Sequence, residues 1–325
     1  MSIKVVGTEK IKKIVTIGGG SGHSMLLSGL RDLENIDITA IVAMSDNGRS
    51  NGKLREELGI LPVADILKCI IALSPKREAV KDFLLKKFEI SGRLNGFNAG
   101  YMMMAELALF DNFENAVKGL SEVLEIKGSV FPVTLNRTTL VTELEDGEIL
   151  FGEYALDKPR GFYGANKKIK NNFLMPHYGE KIEVYQPVID SIKDADYIVI
   201  GPGGFYNSVM VNLLAPGVKD ALREAGGKII FILNMYNMFG SEGFTVKKYI
   251  EVLEGRLCKK IDIVVANNFI KNSSAQYEQI LVDVENGWKS KKIVITNFEK
   301  KSENLPRWNE LDNLAGVLEE VFENF

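Results

Sequence analysis

The sequence predicts an α/β fold, a mostly parallel sheet with helices on both of its faces. Three observations predict it. Short β-branched runs recur at residues 14–17, 38–43, 197–200, 229–234, 262–266 and 293–296, each leading into a turn and then a helical pattern. Strands that alternate with helices in this way pair in parallel. The runs are almost wholly apolar rather than alternating, as strands buried on both sides must be. The segments between them repeat apolar residues at three- and four-residue spacings, the mark of amphipathic helices.

Taken in order, the first run feeds a helix over 24–33, with Leu26, Leu27 and Leu30 on one face. A second clear helix is expected over 113–125 through Ala116, Leu120 and Leu124, and a closing helix carries Leu311, Leu314, Leu318, Val321 and Phe322. Between them the rhythm breaks. From 129 to 154 the pattern is β-like around Asp146-Gly147, a hairpin turn, and the stretch to about residue 172 is polar and rich in glycine and lysine. Residues 126–186 therefore read as an insertion between two α/β halves, a candidate cap, within a single domain spanning 1–325.

Composition narrows the function classes. An apolar fraction of 46% supports a packed core, and 26% charged residues is ordinary for a soluble protein. The formal net charge of −3 argues against general nucleic-acid binding, which leaves a basic excess. Cys69 and Cys258, each beside apolar residues, are expected to be buried thiols of a reducing compartment. Two histidines, His23 and His177, exclude a multi-histidine metal centre. The opening residues lack the long apolar run of a signal peptide, and nothing reaches about 18 uninterrupted apolar residues. A cytoplasmic protein without membrane insertion is expected.

Three loops can carry chemistry. Gly18, Gly19, Gly20, Ser21, Gly22, His23 and Ser24 follow the first strand and open a helix. Glycines let backbone approach a ligand closely, and the amides at a helix start attract a phosphate oxygen; the same turn can also be purely structural. The dinucleotide fingerprint needs a glycine where His23 stands, and no Gly-Lys-Ser/Thr follows, so neither an NAD site nor a P-loop is expected. The second loop holds Asp46, Asn47 and Ser50 among glycines and Arg49. It suits a phosphate or a hydrated cation, with Asp46 as a Mg²⁺ ligand, or else Asp46 is a helix cap in a solvated loop. The third contains Gly201, Gly203, Gly204, Tyr206 and Ser208. If its strand lies beside the first, both glycine loops open at the carboxyl edge of the sheet, where such folds bind ligands.

Smaller features have two readings each. Asp65 begins an apolar helix and is either its N-cap or a site acid. Asn98 sits in a turn before another helix. Asn234 ends a strand and either bonds a base or ribose or caps a turn. His23 either assists a phosphate or proton transfer, or makes a structural polar contact, and His177 is assigned nothing. Residues 102–104, three methionines, read as core filler. No serine–histidine–acid or cysteine–histidine set assembles, so catalysis here would be group transfer by positioning and charge neutralisation.

The motifs resemble the YvcK/CofD family over residues 13–268. The loop at 17–22, the segments at 53–62 and 122–132, the loop at 201–208 and the run at 212–218 are all similar to its motifs. The resemblance implies a Rossmann-like three-layer α/β/α sandwich with a hairpin-containing insertion, often a homodimer. It implies either of two activities. One branch comprises nucleotide-sugar-binding regulators tied to carbon metabolism and cell shape; the other transfers a phospholactyl group onto a deazaflavin. The family's Asp-Asp pair reads here as Asp46-Asn47, its Gly-Asp-Ile-Arg-Asn as residues 64–68 with Asp65 kept and the arginine lost, and its Gly-His-x-x-Gly-Asn turn has lost histidine and asparagine. These departures favour binding over Mg²⁺-dependent transfer. The leading expectation is a nucleotide diphosphate or UDP-sugar-like ligand across 18–24 and 201–208. Asp46, Asn47 and Ser50 would meet phosphate or ribose, and Tyr206 the base or sugar. The alternative is a transferase with Asp46 and Asp65 on the metal.

Overall fold

The computed structural model describes residues 10–76, 78–90, 92, 94–156, 167–267, 278–296 and 312–324. Among the described residues twelve strands form three sheets: β1 (Lys12–Gly18), β2 (Ile36–Val42), β3 (Ser129–Pro132), β4 (Thr138–Leu144), β5 (Ile149–Phe151), β6 (Ile169–Pro176), β7 (Tyr197–Ile200), β8 (Lys228–Ile232), β9 (Tyr236–Asn237), β10 (Ile263–Asn267), β11 (Glu278–Gln279) and β12 (Lys292–Thr296). The main sheet has seven strands in the order β12-β10-β8-β7-β1-β2-β3, and every neighbouring pair in it is parallel. All six apolar runs read from the sequence lie in it.

The helices are α1 (Gly20–Leu30), α2 (Arg49–Leu58), α3 (Ala64–Leu73), α4 (Glu78–Leu85), α5 (Ala99–Phe110), α6 (Phe113–Val123), α7 (Glu153–Leu156), α8 (Gln186–Asp194), α9 (Val218–Glu224), α10 (Val246–Leu257) and α11 (Asp312–Asn324). From β1 the chain steps outward to β2 and β3; from β7 it steps the other way, to β8, β10 and β12. Right-handed crossovers running in opposite directions place their helices on opposite faces, giving the three-layer Rossmann-like sandwich. The order reverses between β1 and β7, and open α/β sheets leave a crevice at that point. Gly29 leaves room for α11 against α1, since a Cβ there would stand 2.8 Å from the Ala315 Cβ. Leu314, Leu318, Val321 and Phe322 of α11 are buried as expected; Leu311 lies outside the described residues.

The structure corrects the insertion. Ser129–Pro132 is not part of the hairpin; it pairs with β2, Thr39 opposite Ser129 through Val42 opposite Pro132, as the edge strand of the main sheet. Of its four residues only Val130 and Pro132 are buried, so no continuous apolar run announced it. The antiparallel sheet begins at β4, in the order β5-β4-β6. Its tight turn is the one expected, with Gly147 at φ +87 and the Asp146 carboxylate accepting the Glu148 N–H. Residues 157–166 of the polar stretch lie outside the described residues.

Two further expectations are corrected. Cys69 is buried, but Cys258 is exposed, because it caps the C-terminus of α10 in the left-handed conformation, φ 52. Of the three methionines only Met104 is core, while Met102 and Met103 are 40% and 38% exposed; one helical turn cannot point three consecutive side chains inward.

Candidate functional site

Because β1 and β7 pair in register, Ile17 opposite Ile200, the backbone leaves the sheet at Gly18 and Gly201 side by side. The two glycine loops then press together. A Cβ on Gly22 would stand 3.3 Å from the Pro202 carbonyl carbon and oxygen and 3.4 Å from the Gly203 nitrogen. Gly203 sits at φ +154, and a Cβ there would come within 3.2 Å of the Gly19 oxygen. Both positions need glycine for close approach.

Two asparagines hold this junction. Asn234 accepts the Gly203 N–H at 2.9 Å and donates its amide to the Gly203 oxygen at 2.6 Å. Asn212 donates to the Gly18 oxygen at 3.1 Å and the Ser208 oxygen at 2.7 Å. Asn234 thus fixes the third loop rather than lining the cleft, and Asn212 ties both loops together. After Gly204 the chain forms one π-helical turn, Phe205–Val209, a form frequent at functional sites. It turns Asn207 and Ser208 toward the cleft and Tyr206 away.

The loops open onto a cleft of about 640 Å³. Gly19, Gly20, Ser21, Gly22 and Ser24 line one side, and Gly203, Gly204 and Ser208 the next. Asp46, Ser50, Asp65 and Asn98 complete the wall among the expected residues. The Asp46 carboxylate accepts the Gly48 N–H at 2.7 Å and the Asn51 amide. The Asp65 carboxylate accepts the Gly20 N–H at 2.7 Å and pairs with Lys68 at 3.0 Å. Asp65 therefore does not cap its own helix. Asn51 does so, its oxygen taking the Val63 and Ala64 N–H groups at 3.1 Å. Ser50 donates to the Gly96 oxygen, and Asn98 caps α5 by accepting the Tyr101 N–H.

Six expected residues stand outside the cleft lining, Asn234 among them. Gly18 ends β1 beneath His23. His23 is fully buried, its Nε2 at 2.8 Å from the Thr16 hydroxyl. Asn47 accepts the Tyr154 N–H and so ties the second loop to α7. Tyr206 packs edge-on against Phe205, and burial pushes its phenol up to about 12. Gly201 serves only as the exit turn, at φ +80. Conversely, Lys68, Lys87, Tyr101, Asn207 and the α7 pair Glu153 and Tyr154 line the cleft without having been expected. Lys68 was detectable, three residues after Asp65 on a helix; the rest arrive from distant segments.

Burial and the Asp65 charge push the Asp46 carboxyl above its ordinary value, against the hydrogen bonds from Gly48 and Asn51. Burial acts to lower the Lys68 pKa, but Asp65 overrides it and holds the ammonium above the ordinary lysine value. The Mg²⁺ implied by the family resemblance does not fit these donors. Each oxygen of Asp46 and Asp65 already accepts one protein donor, the Lys68 ammonium 3.0 Å from Asp65 repels a second cation there, and among the described residues no three histidine, cysteine or acidic groups form a metal set.

Burial pushes His23 down from 6.5 to about 4. Its unfolded form takes a proton that the folded form refuses, so its stability contribution is full above 6.5 and is lost as pH falls toward 4. From pH 7 to pH 5 the unfolding free energy should drop by about 2 kcal/mol on this account. Urea unfolding at both pH values should show that drop in the native chain and its loss in His23→Gln; an equal drop in both would refute the assignment.

A family model described as 2-phospho-L-lactate transferase CofD matches residues 14–302. A gluconeogenesis factor of Bacillus subtilis is 35% identical over 259 residues, covering 79% of this chain and 78% of that protein. One from Halalkalibacterium halodurans is 34% identical over 246 residues, 75% and 73% of the two chains. A crystal structure of a UPF0052-family protein from Bacillus halodurans superposes with a TM-score of 0.82 at 29% identity, covering 94% of this chain and 99% of that one. Among the described residues no helix is long and apolar enough to cross a membrane.

Proposed function

The chain belongs to the CofD family, and from that premise we propose that it binds a phosphate-bearing nucleotide or nucleotide sugar across its two glycine loops. In this reading it is a cytoplasmic regulator of carbon metabolism or of cell-wall and cell-shape processes. The observation that carries the reading is the meeting of the loops of β1 and β7 at the reversal of strand order, over a cleft lined by glycine backbone, Ser21, Ser24 and Ser208. Backbone donors gathered at such a crevice suit an anionic group. Relatives named gluconeogenesis factors support the regulatory part. Thermal unfolding with millimolar UDP, UDP-N-acetylglucosamine, GDP and GTP tests it, since a ligand at about 100 times its Kd adds about 2.7 kcal/mol. A rise in Tm with at least one is expected; none with any would sink the reading.

A second reading is a transferase of the phospholactyl type. It is favoured by Asp46 and Asp65 sharing the cleft and by the description of the family model. Product formed from a deazaflavin acceptor and abolished by Asp46→Asn would establish it.

A further inference from the structure

We propose that the positive centre receiving the ligand's phosphates is the Lys68 ammonium, so that a nucleoside diphosphate binds in this cleft without a divalent cation. The inference rests on the nucleotide reading above and specifies how that site works.

Asp46 and Asp65 are the carboxylates a cation would need, and both are committed. Mg²⁺ demands a near-octahedral oxygen set at about 2.0–2.1 Å. Each carboxylate oxygen keeps a second lone pair beside its bond, but a Mg²⁺ on Asp65 would stand beside the Lys68 ammonium, 3.0 Å from that carboxylate, and like charges so close repel. The Asp46 oxygens are held by Gly48 and by Asn51, which also accepts the Val63 and Ala64 N–H groups at the start of α3. The cleft is thus built around the lysine.

Lys68 is placed to act on a ligand. Its side chain lines the cleft and is 29% exposed, against 10% for Asp65. An ammonium has three donors, and one goes to Asp65 at 3.0 Å. Two remain for phosphate oxygens. The Gly20 N–H, foremost of the free donors at the start of α1, is already held by Asp65, which shifts anion binding from the helix end toward the lysine. Lys87 adds a second charge at the rim. It lines the cleft, has no ion-pair partner among the described residues, and its backbone is bridged to that of Asn98. Two lysines and the loop amides make a set matched to two linked phosphates.

Calorimetric titration of the full chain with uridine diphosphate, in EDTA and in millimolar Mg²⁺, decides the matter. Dissociation constants within about twofold of each other are expected. Lys68→Met should weaken binding at least about tenfold, and Lys87→Met severalfold with a loss of salt sensitivity. Wild-type binding tightened at least about tenfold by Mg²⁺ would overturn the proposal but not the nucleotide reading. Lys68→Met binding like wild type would do the same. No binding in either buffer overturns both. If circular dichroism shows Lys68→Met unfolded, the wild-type metal comparison and the exposed Lys87→Met variant carry the decision.

Discussion

Gly22→Val should weaken binding of uridine diphosphate by at least about tenfold while the protein stays folded. Gly22 lies inside α1, where its backbone is compatible with any residue, so the substitution introduces no positive-φ strain. Its Cβ, however, would already touch the Pro202 carbonyl and the Gly203 nitrogen at 3.3 to 3.4 Å, and valine adds two further methyls to that tight contact. The third loop must yield, pulled away from the Asn234 bonds that fix Gly203. Overpacking of this kind costs about 1–3 kcal/mol, and here it falls on the geometry of the cleft. Titration alongside a urea melt separates the two effects. A folded variant with unchanged affinity would show that the apposition of the loops is irrelevant to the ligand.

Gly128→Ala should lower the unfolding free energy by about 3 kcal/mol or more. Gly128 enters β3 at φ +93, and a Cβ there would stand 2.2 Å from the Ile38 oxygen and 3.0 Å from the Ile38 carbonyl carbon. Those are backbone atoms of β2 and cannot turn aside as a side chain would. Gly147→Ala is the control: φ is +87, yet nothing lies within 4 Å of its Cβ. It should lose only the left-handed penalty, about 1–2 kcal/mol. Denaturant unfolding of both variants tests the difference, and equal losses would remove the clash from the explanation.

Five interior strands and the edge strand β12 were legible because each writes a continuous apolar run. β3, at the other edge, was not, since only Val130 and Pro132 of its four residues are buried. The glycine loops were legible as loops, but their adjacency depends on the order of strands in the sheet, which no local pattern encodes. Of the two readings left open for His23, the structural polar contact holds, and a signal for it was readable: with Leu26, Leu27 and Leu30 it completes the buried stripe of α1. The helical stripe outweighed its glycine neighbours. Tyr206 was misread for the opposite reason, because the π-helical turn shifts side-chain direction in a way a 3.6-residue period does not describe. Glu153 and Lys87 reach the cleft from chain segments whose sequence carries no mark of it.

The pairing of β1 with β7 also has a consequence for biosynthesis. A nascent chain carrying only its first half has the glycine turn of β1 but no neighbour to close it, and contacts between segments so distant along the chain form late. α1 further waits for α11 to cover it at Gly29. A ligand bound between the two turns, as proposed, would therefore stabilise only molecules whose translation has run past both.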